Sequence, residues 1–454
     1  MEESPAIATD ERIFTNRQLA SLLIPLLIEQ VLNITIGMAD TVMVAGLSEA
    51  AISAVSLVDQ FNQLLMQLFN ALATGGAVLA AQYIGRRDRA GGCDAARQLV
   101  QVTLLIALIV MAGALSFSRE LLRLIYGDLE ESVMAGALRY FRITNGSIPF
   151  FALYAAGAAL FRSMGNSKVS LYTSILMNII NVAGNYVSIY HWGWGVSGAA
   201  AATFLSRICG AAVFIALIIR PHQELFIDNI WRVKVNMPNV KRILRVGIPN
   251  GLENSVFQVG KLVVLRLVAS LGTSAVAANA ICNTFASIAC MPGSAVSLAL
   301  VTVVGQCVGA RAYDEAKRGT YKLMLFAIAS MAVVCAALLI FISPAIGWFG
   351  QLSVESRGMA TRILTFSFVI SWFTWPFSFT LPNALRGAGD AKVTMIASIV
   401  SMMVFRVAFS YLLADALNMG LDGVWYAMYI DWIVRSIFFV ARFASGKWKT
   451  IHII

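Results

Sequence analysis

Long apolar segments follow one another along nearly the whole of this 454-residue chain and constrain its fold more than any other feature. A helix of about 20 apolar residues crosses the ~30 Å hydrocarbon layer of a bilayer. Apolar residues run continuously in these segments instead of alternating at every second position, which indicates helices rather than barrel strands. The sequence predicts an all-α integral membrane protein with twelve transmembrane helices (spans 1–12), at 17–45, 53–83, 98–118, 137–161, 168–190, 195–219, 246–271, 275–308, 323–347, 363–385, 392–414 and 420–441.

Enzyme chemistry has little support in the sequence. The three histidines, His191, His222 and His452, lie outside the predicted spans, and no Walker A, G-x-S-x-G or H-E-x-x-H pattern occurs. The six cysteines lie in or beside spans without the spacing of metal ligands, so we interpret them as reduced packing residues. We therefore expect no enzyme activity, no metal and no cofactor. Without an ATP site, any energy that the protein uses would come from the gradient of a coupling cation.

The formal net charge of +10 does not require a nucleic-acid partner, because the basic residues follow the topology of the predicted spans. Of the 34 Lys and Arg residues, 21 come after even-numbered spans, whereas the connections after spans 1, 5, 7 and 11 carry none. Cytoplasmic loops are rich in Lys and Arg. We expect both termini in the cytoplasm, a multi-pass protein of the cell inner (plasma) membrane, and the lipid bilayer rather than nucleic acid as its partner.

The chain repeats itself at a shift of 224 residues, which aligns Pro25 with Pro249 and carries LFRSMGNSKV onto ALRGAGDAKV. Each repeat has six spans, an even number, so the two repeats are parallel. Such repeats typically enclose a substrate path; alternatively, the duplication is only an evolutionary route to a large bundle. The predicted domains are an N-terminal cytoplasmic segment (1–16), an N-lobe (17–219), a cytoplasmic linker (220–245), a C-lobe (246–441) and a cytoplasmic C-terminal tail (442–454).

Span 1 carries more polar groups than a lipid-facing helix would. Glu29, Asn33 and Asp40 share one helical face, and an ionised group at the centre of a span costs at least ~2.5 kcal/mol. Asp40 has no acidic partner in the second repeat, where Val264 takes its place. A buried carboxylate in one lobe only is what a coupling-ion site would look like.

Two prolines and two glutamates occupy equivalent places in spans 1 and 7. Each glutamate follows its proline by four residues, and a proline inside a helix permits a bend. The sequence predicts gates or hinges at Pro25, Glu29, Pro249 and Glu253. The alternative is that the glutamates pair with basic residues of the second half, Arg266 or Arg406; we also expect an ion pair within span 12, between Asp431 and Arg435.

Span 2 carries a second polar face, formed by Asp59, Gln63, Gln67, Asn70 and Thr74 at intervals of four, four, three and four. Such a face lines a wet cavity or bonds neighbouring helices. Span 10 concentrates aromatic residues around Pro376; aromatic faces hold organic cations, although they also commonly face lipid. The candidate residues for a substrate cavity are Gln63, Gln67, Asn70, Met291 and Trp375.

Three stretches resemble the multidrug and toxic compound extrusion (MATE) transporters, most of all the bacterial DinF-like or related Firmicutes-type branch. They are GMADTVMVAGLSEAAISAVSLVDQ in spans 1 and 2, ALATGGAVLAAQYIGRRD at the end of span 2, and RVGIPNGLENS opening span 7. The resemblance covers essentially the whole chain. It implies antiport, in which inward H⁺ or Na⁺ drives outward movement of amphiphilic, often cationic small molecules through a cleft between two lobes of one chain, which we expect to be a monomer.

The resemblance also implies a coupling-ion site in the N-lobe. Carried over to this sequence, the site consists of Asp40, Asn181, Asn185 and Thr203, with Tyr140 as a further member. Some archaeal members have a second acidic residue where this chain has Asn185, which favours H⁺ here; Na⁺-coupled drug antiport is the alternative. A further alternative is a lipid-linked saccharide flippase, whose cleft would hold pyrophosphate through Lys261, Arg266 and Arg406.

Overall fold

The computed structural model describes residues 13–47, 49–127, 130–228, 235–347 and 353–454, without the side chains of 36, 38–42, 45, 49, 343 and 345. The regular structure in these ranges is helical. Spans 1–3 are Asn16–Ala45, Glu49–Gly85 and Arg89–Ser116; span 4 is Glu131–Gly146 and Ile148–Ser163; span 5 is Ser167–Tyr186 with a π-helical end, Val187–His191; span 6 is Gly195–Ile218. Spans 7–9 are Met237–Ser270, Thr273–Gly309 and Tyr313–Ile340; span 10 is Val354–Trp375, π-helical Pro376–Thr380 and Leu381–Gly387; span 11 is Ala391–Ser401, π-helical Met402–Ala408, Phe409–Tyr411 and π-helical Leu412–Ala416; span 12 is Gly420–Ala444. Short helices at Ser118–Tyr126 and Ile342–Gly347 follow spans 3 and 9, and a 3-10 turn at Lys447–Thr450 follows span 12.

By length and composition, nine helices of the described chain are apolar enough to cross a membrane, or ten if span 4, bent by 44°, is counted as one. Spans 5 and 7 complete the twelve. Their hydropathy is lower because span 5 carries amide side chains and span 7 carries Glu253, Lys261 and Arg266. The prediction of a twelve-helix, all-α membrane protein is therefore confirmed.

The helix boundaries follow local capping. Thr15 caps span 1 by accepting a hydrogen bond from the backbone N–H of Gln18, whose side chain reaches back to Thr15. Span 7 begins at Met237, inside the stretch expected to be linker, because the Asn236 side chain caps it. Pro25 and Pro249 both lie inside continuous helices.

The turns of the two halves repeat with the same shift as the sequence. Arg87 and Arg311, which end the turns after spans 2 and 8, have φ of 60° and 58°. Gly165 and Gly389, after spans 4 and 10, have φ of 75° and 99°, a region that a residue without Cβ enters at little cost. The structure is therefore built as two equivalent six-helix lobes.

The lobes pack closely at the end of the molecule where the described chain begins, at residue 13, and ends, at residue 454. Leu22 and Leu26 of span 1 join one apolar cluster with Ala295 and Ala299 of span 8. A β-carbon on Gly75 of span 2 would overlap the backbone of span 7. We call this contact the inner seal, where inner means the end of the molecule at which the described chain begins and ends; it closes the path between the lobes at that end.

Candidate transport cleft and ion site

Beyond the inner seal, the same faces of spans 2 and 8 become exposed. The polar face of span 2 continues, at intervals of four, three and four, into Val78, Ala81 and Gly85, and Ala81 and Gly85 contact span 8 within the seal. The equivalent face of span 8 continues into Gly305 and Gly309, which contact span 2. The outer halves of both faces therefore border a space between the lobes, which we call the cleft.

The substrate-cavity candidates occupy two different environments. Gln63 and Asn70 are exposed and Gln67 is half-buried on the cleft face of span 2, and Met291 is half-buried on that of span 8. Trp375 is half-buried inside the C-lobe, where it stacks on Phe379 with ring centroids 5.1 Å apart and covers Gly293. Trp375 thus belongs to the aromatic wall behind the cleft.

Three residues of the predicted ion site form one hydrogen-bonded chain in the N-lobe. The Asn185 amide donates to Asn181 Oδ1 at 3.4 Å, and the Asn181 amide donates to Thr203 Oγ1 at 3.2 Å. Asn181 and Asn185 are buried, and Thr203 is half-buried. Spans 5 and 6 thus bring together three side chains rich in oxygen ligands, which suit a bound cation or a proton-binding acid.

Asp40 lies on span 1, but its side chain is outside the described residues. The backbone around it runs beside the amide chain: the Tyr190 hydroxyl of span 5 donates to the carbonyl of Met43 at 3.3 Å. Val44, one helical turn after Asp40, is buried in a cluster with Tyr140 and Ala199. Span 1 therefore passes spans 4, 5 and 6 at the level of the candidate ion site.

Tyr140 donates a hydrogen bond to a different acid. Its hydroxyl lies 3.1 Å from Asp59 Oδ1 of span 2. Arg207 of span 6, which our sequence analysis missed, is 8% exposed and close enough to interact electrostatically with Asp59. Arg207 donates to Ser147 Oγ at 2.7 Å. Arg207 could have been identified from the sequence, because an ionisable residue inside a transmembrane span usually has a function.

The two candidate gate glutamates are buried at equivalent places but have different partners. In the N-lobe, Ser170 donates to both carboxylate oxygens of Glu29 at 3.1 Å and in turn accepts from Arg162 at 3.2 Å. In the C-lobe, Glu253 pairs directly with Arg386 at 2.7 Å, and Arg435 lies at 3.7 Å. The alternative, a pairing with Arg266 or Arg406, is wrong for Glu253, because helix packing brings the end of span 10 beside the middle of span 7.

The acid of span 12 also has an unexpected partner. Asp431 accepts a hydrogen bond from Ser401 of span 11 at 2.5 Å, and Arg435 donates to Ser398 Oγ at 2.9 Å. The two residues interact electrostatically but form no ion pair within 4 Å. The predicted Asp431–Arg435 ion pair was therefore wrong: both side chains turn towards span 11.

Two parallel six-helix lobes on either side of a polar cleft are the architecture of a membrane transporter whose substrate path lies between its repeats. The chain belongs to the MatE family, whose sequence profile matches residues 25–187 and again 249–412. These matches begin 224 residues apart, the shift of the internal repeat. The family consists of transporters.

Named relatives match nearly the whole chain. "Uncharacterized transporter YisQ" of Bacillus subtilis is 26% identical over 435 residues, 95% of this chain and 94% of the relative. "Probable multidrug resistance protein NorM" of Thermotoga maritima is 28% identical over 442 residues, 95% and 93% of the two chains.

Solved structures share the fold. A crystal structure of a MATE protein in the bent conformation is 22% identical and covers 95% of this chain and 96% of its own, with a TM-score of 0.87. An outward-facing multidrug resistance MATE family transporter of the MOP superfamily is 21% identical, with the same coverage and a TM-score of 0.88.

Proposed function

We propose that this protein is an H⁺-coupled antiporter that exports amphiphilic, often cationic organic compounds by alternating access. The observation that carries the proposal is the asymmetry of the lobe boundary. Its inner half is sealed by apolar and backbone contacts, whereas its outer half presents equivalent polar faces on spans 2 and 8. With the termini in the cytoplasm of a cell whose plasma membrane holds the protein, this is an outward-facing state, ready to release a compound and take up a proton.

The coupling acid in this proposal is Asp40. The amide chain of Asn181, Asn185 and Thr203 supports the assignment, because it offers hydrogen-bonding atoms and no positive charge beside the backbone of span 1. A proton taken up from outside would release or bend span 1 at Pro25. Tyr140 acts through Asp59, a second acid that is exposed at the cleft.

The choice of H⁺ over Na⁺ rests on Asn185. A Na⁺ site built from two carboxylates would need an acid at that position, and an amide supplies only a neutral oxygen. The flippase alternative has less support, because Arg266, one of its three cations, lies about 140° around span 7 from Lys261, so the three do not share one helical face or site.

The test is transport by purified protein in proteoliposomes with an imposed H⁺ or Na⁺ gradient and a panel of cationic dyes. In the parent protein we expect an imposed H⁺ gradient to drive dye in the direction opposite to the proton flow. In Asp40→Asn we expect this dye transport to be lost. The matched control is Asp228→Asn, which removes an acid that is 67% exposed outside the spans. Dependence on Na⁺ alone, or retained proton exchange in Asp40→Asn at normal expression, contradicts the assignment.

A further inference from the structure

The C-lobe contains a group of basic side chains where the N-lobe has its amide chain. Three cationic groups surround the ring of Phe257: Lys261 Nζ lies 5.1 Å from its centroid, Arg406 Cζ 5.3 Å and Arg435 Cζ 5.9 Å. We call Lys261, Arg406 and Arg435 the cation cluster. Its members come from spans 7, 11 and 12, so the fold, not a single helix, assembles it.

The acids nearby do not neutralise the cation cluster. Glu253 is held at 2.7 Å by Arg386, a fourth cation, and only secondarily by Arg435. Asp431 is the other acid, and it interacts electrostatically with both Arg406 and Arg435. Four cations thus share two carboxylates. Among the residues that the structure describes, Lys261 and Arg406 have no acidic group within 4 Å.

Several buried donors in this region lack a hydrogen-bond partner within the described part of the chain. They are Arg435 Nε and Nη1, Arg386 Nε and Trp432 Nε1. A buried polar group without a partner costs about 1–3 kcal/mol. Two acceptors of the same region, Glu253 Oε2 and Asp431 Oδ2, also lack a hydrogen-bond partner among the described residues. Water could satisfy the donors and the acceptors alike, and a bound anionic group could satisfy the donors.

The cation cluster is open to the cleft through Lys261. The face of span 7 that lies against span 2 in the inner seal includes Ile243 and Gly247. Steps of four, four, three, four and three residues lead from Ile243 to Lys261, so the two residues lie on the same face of span 7. Lys261 is exposed. Arg406 is half-buried in the π-helical segment Met402–Ala408, and π-helical turns frequently mark functional sites.

We propose that the cation cluster binds the carboxylate or phosphate group of an amphiphilic substrate. This inference rests on the proposed function and names a subclass of its substrates: zwitterionic amphiphiles. Lys261 meets the acidic group at the cleft, and Arg406 binds it further inside. Phe379 packs edge-to-face on Phe257 with centroids 5.8 Å apart and supplies the aromatic wall. Asp59, exposed on the opposite side of the cleft, suits the cationic end.

The experiment compares two dyes that differ by one methyl ester, rhodamine 110 with a free carboxylate and rhodamine 123 without it. Uptake of both into proteoliposomes is measured for the parent, Lys261→Gln, Arg406→Gln and Arg266→Gln. We expect the first two variants to raise KM for rhodamine 110 by about tenfold, as the loss of a charge-assisted contact predicts, and to leave rhodamine 123 unchanged. Arg266→Gln is the control: it removes a cation from the exposed apolar face of the same helix, near Leu262.

The inference is overturned if Lys261→Gln and Arg406→Gln lose transport of both dyes equally. It is also overturned if the kinetics for rhodamine 110 are unchanged in both variants. If the parent protein moves neither dye, the proposed function fails. If the parent protein moves rhodamine 123, but Lys261→Gln does not change its preference between the two dyes, only the present inference fails. Binding of rhodamine 123 to the detergent-solubilised variants, measured by fluorescence polarisation, checks that a lost rhodamine 110 signal is not caused by lost folding, because the inference leaves this dye unaffected.

A lipid headgroup offers the same oxyanion chemistry. The transport assay is therefore repeated in vesicles of phosphatidylcholine alone and in vesicles that also contain phosphatidylglycerol. A Lys261 effect in both membranes supports a substrate site. An effect that is present only with phosphatidylglycerol means that the cation cluster holds a lipid, which overturns the substrate assignment.

Discussion

Gln82 and Gln306 form the same hydrogen bond in opposite directions across the boundary between the lobes. The Gln82 amide donates to the carbonyl of Gly387 at 3.1 Å, and the Gln306 amide donates to that of Ser163 at 2.6 Å. Both the donors and the acceptors are partners under the 224-residue repeat. The inner seal is therefore a two-fold latch, and both bonds must break before the inner side opens.

Removing either glutamine should favour the inward-open state. A net hydrogen bond contributes about 1 kcal/mol, so Gln82→Ala and Gln306→Ala should each shift the equilibrium about fivefold, and the double variant further. Spin labels at Arg87 and Arg311, both exposed at equivalent inner turns, report the separation by pulsed electron resonance. We expect a new population at longer distance.

The control for this measurement is Asn283→Ala. It removes an amide-to-carbonyl hydrogen bond of 2.9 Å on the same span as Gln306, but one that stays within the helix, to Asn279. We expect its distance distribution to match that of the parent protein. Distributions that do not change in either glutamine variant would refute the latch.

Gly85 and Gly309 make the close approach of spans 2 and 8 possible. A β-carbon on Gly85 would overlap the carbonyl of Gln306, and one on Gly309 would overlap that of Gln82. Gly85→Ala and Gly309→Ala should therefore prevent closure of the inner seal and abolish dye transport while the protein still folds. Gly113→Ala, at a helical site with open space, is the control and should keep transport. Dye transport at the parental rate in both Gly85→Ala and Gly309→Ala would contradict this prediction.

The number of helices and the duplication could be predicted because both follow directly from the order of residues along the chain. Continuous apolar segments require transmembrane helices, and the repeat matched polar and turn-forming residues such as Pro25 with Pro249. Span 7 was predicted as one of these apolar segments, at 246–271, despite its charges. Its start at Met237 was missed because the first two turns are polar, so that no apolar pattern marks them.

Contacts between distant helices were harder to predict. Asp431 and Arg435 have the spacing of an ion pair, yet each turns to span 11, because the angle between helices, not the sequence interval, decides which side chains meet. The Glu253–Arg386 pair did leave a signal: both residues recur at the repeat shift as Glu29 and Arg162. Because both residues recur together at the repeat shift, a contact between them could have been predicted instead of a pairing with Arg266 or Arg406.

The two gate glutamates should differ in their effect on stability. Glu253→Gln removes the ion-pair partner of the buried Arg386 and leaves Arg435 with Asp431 as its nearby acid, and it should cost about 3–5 kcal/mol. Glu29→Gln keeps an acceptor for the Ser170 hydroxyl and should cost about 1 kcal/mol. Thermal unfolding in detergent, followed by size-exclusion chromatography, ranks the variants, with the exposed Glu355→Gln as control. Equal midpoints for the two buried variants would contradict the difference.

The coupling ion should change with the residue at position 185. Asn185→Asp places a second carboxylate beside Asn181 and Thr203, and two acids with neutral oxygen ligands suit Na⁺ better than one acid does. We expect dye transport by this variant to be driven by an imposed Na⁺ gradient at equal pH on both sides, a condition in which the parent is inactive.

Asn178→Asp is the matched control for this change of ion. It adds an acid two turns earlier on span 5, where the Asn178 amide donates to Ser174 at 3.3 Å, whereas the Asn181 amide donates to Thr203. A Na⁺ response in Asn185→Asp alone ties the effect to the ion site, because added negative charge by itself would produce it in both variants. A Na⁺ response in both variants, or in neither, means that position 185 does not determine the coupling ion.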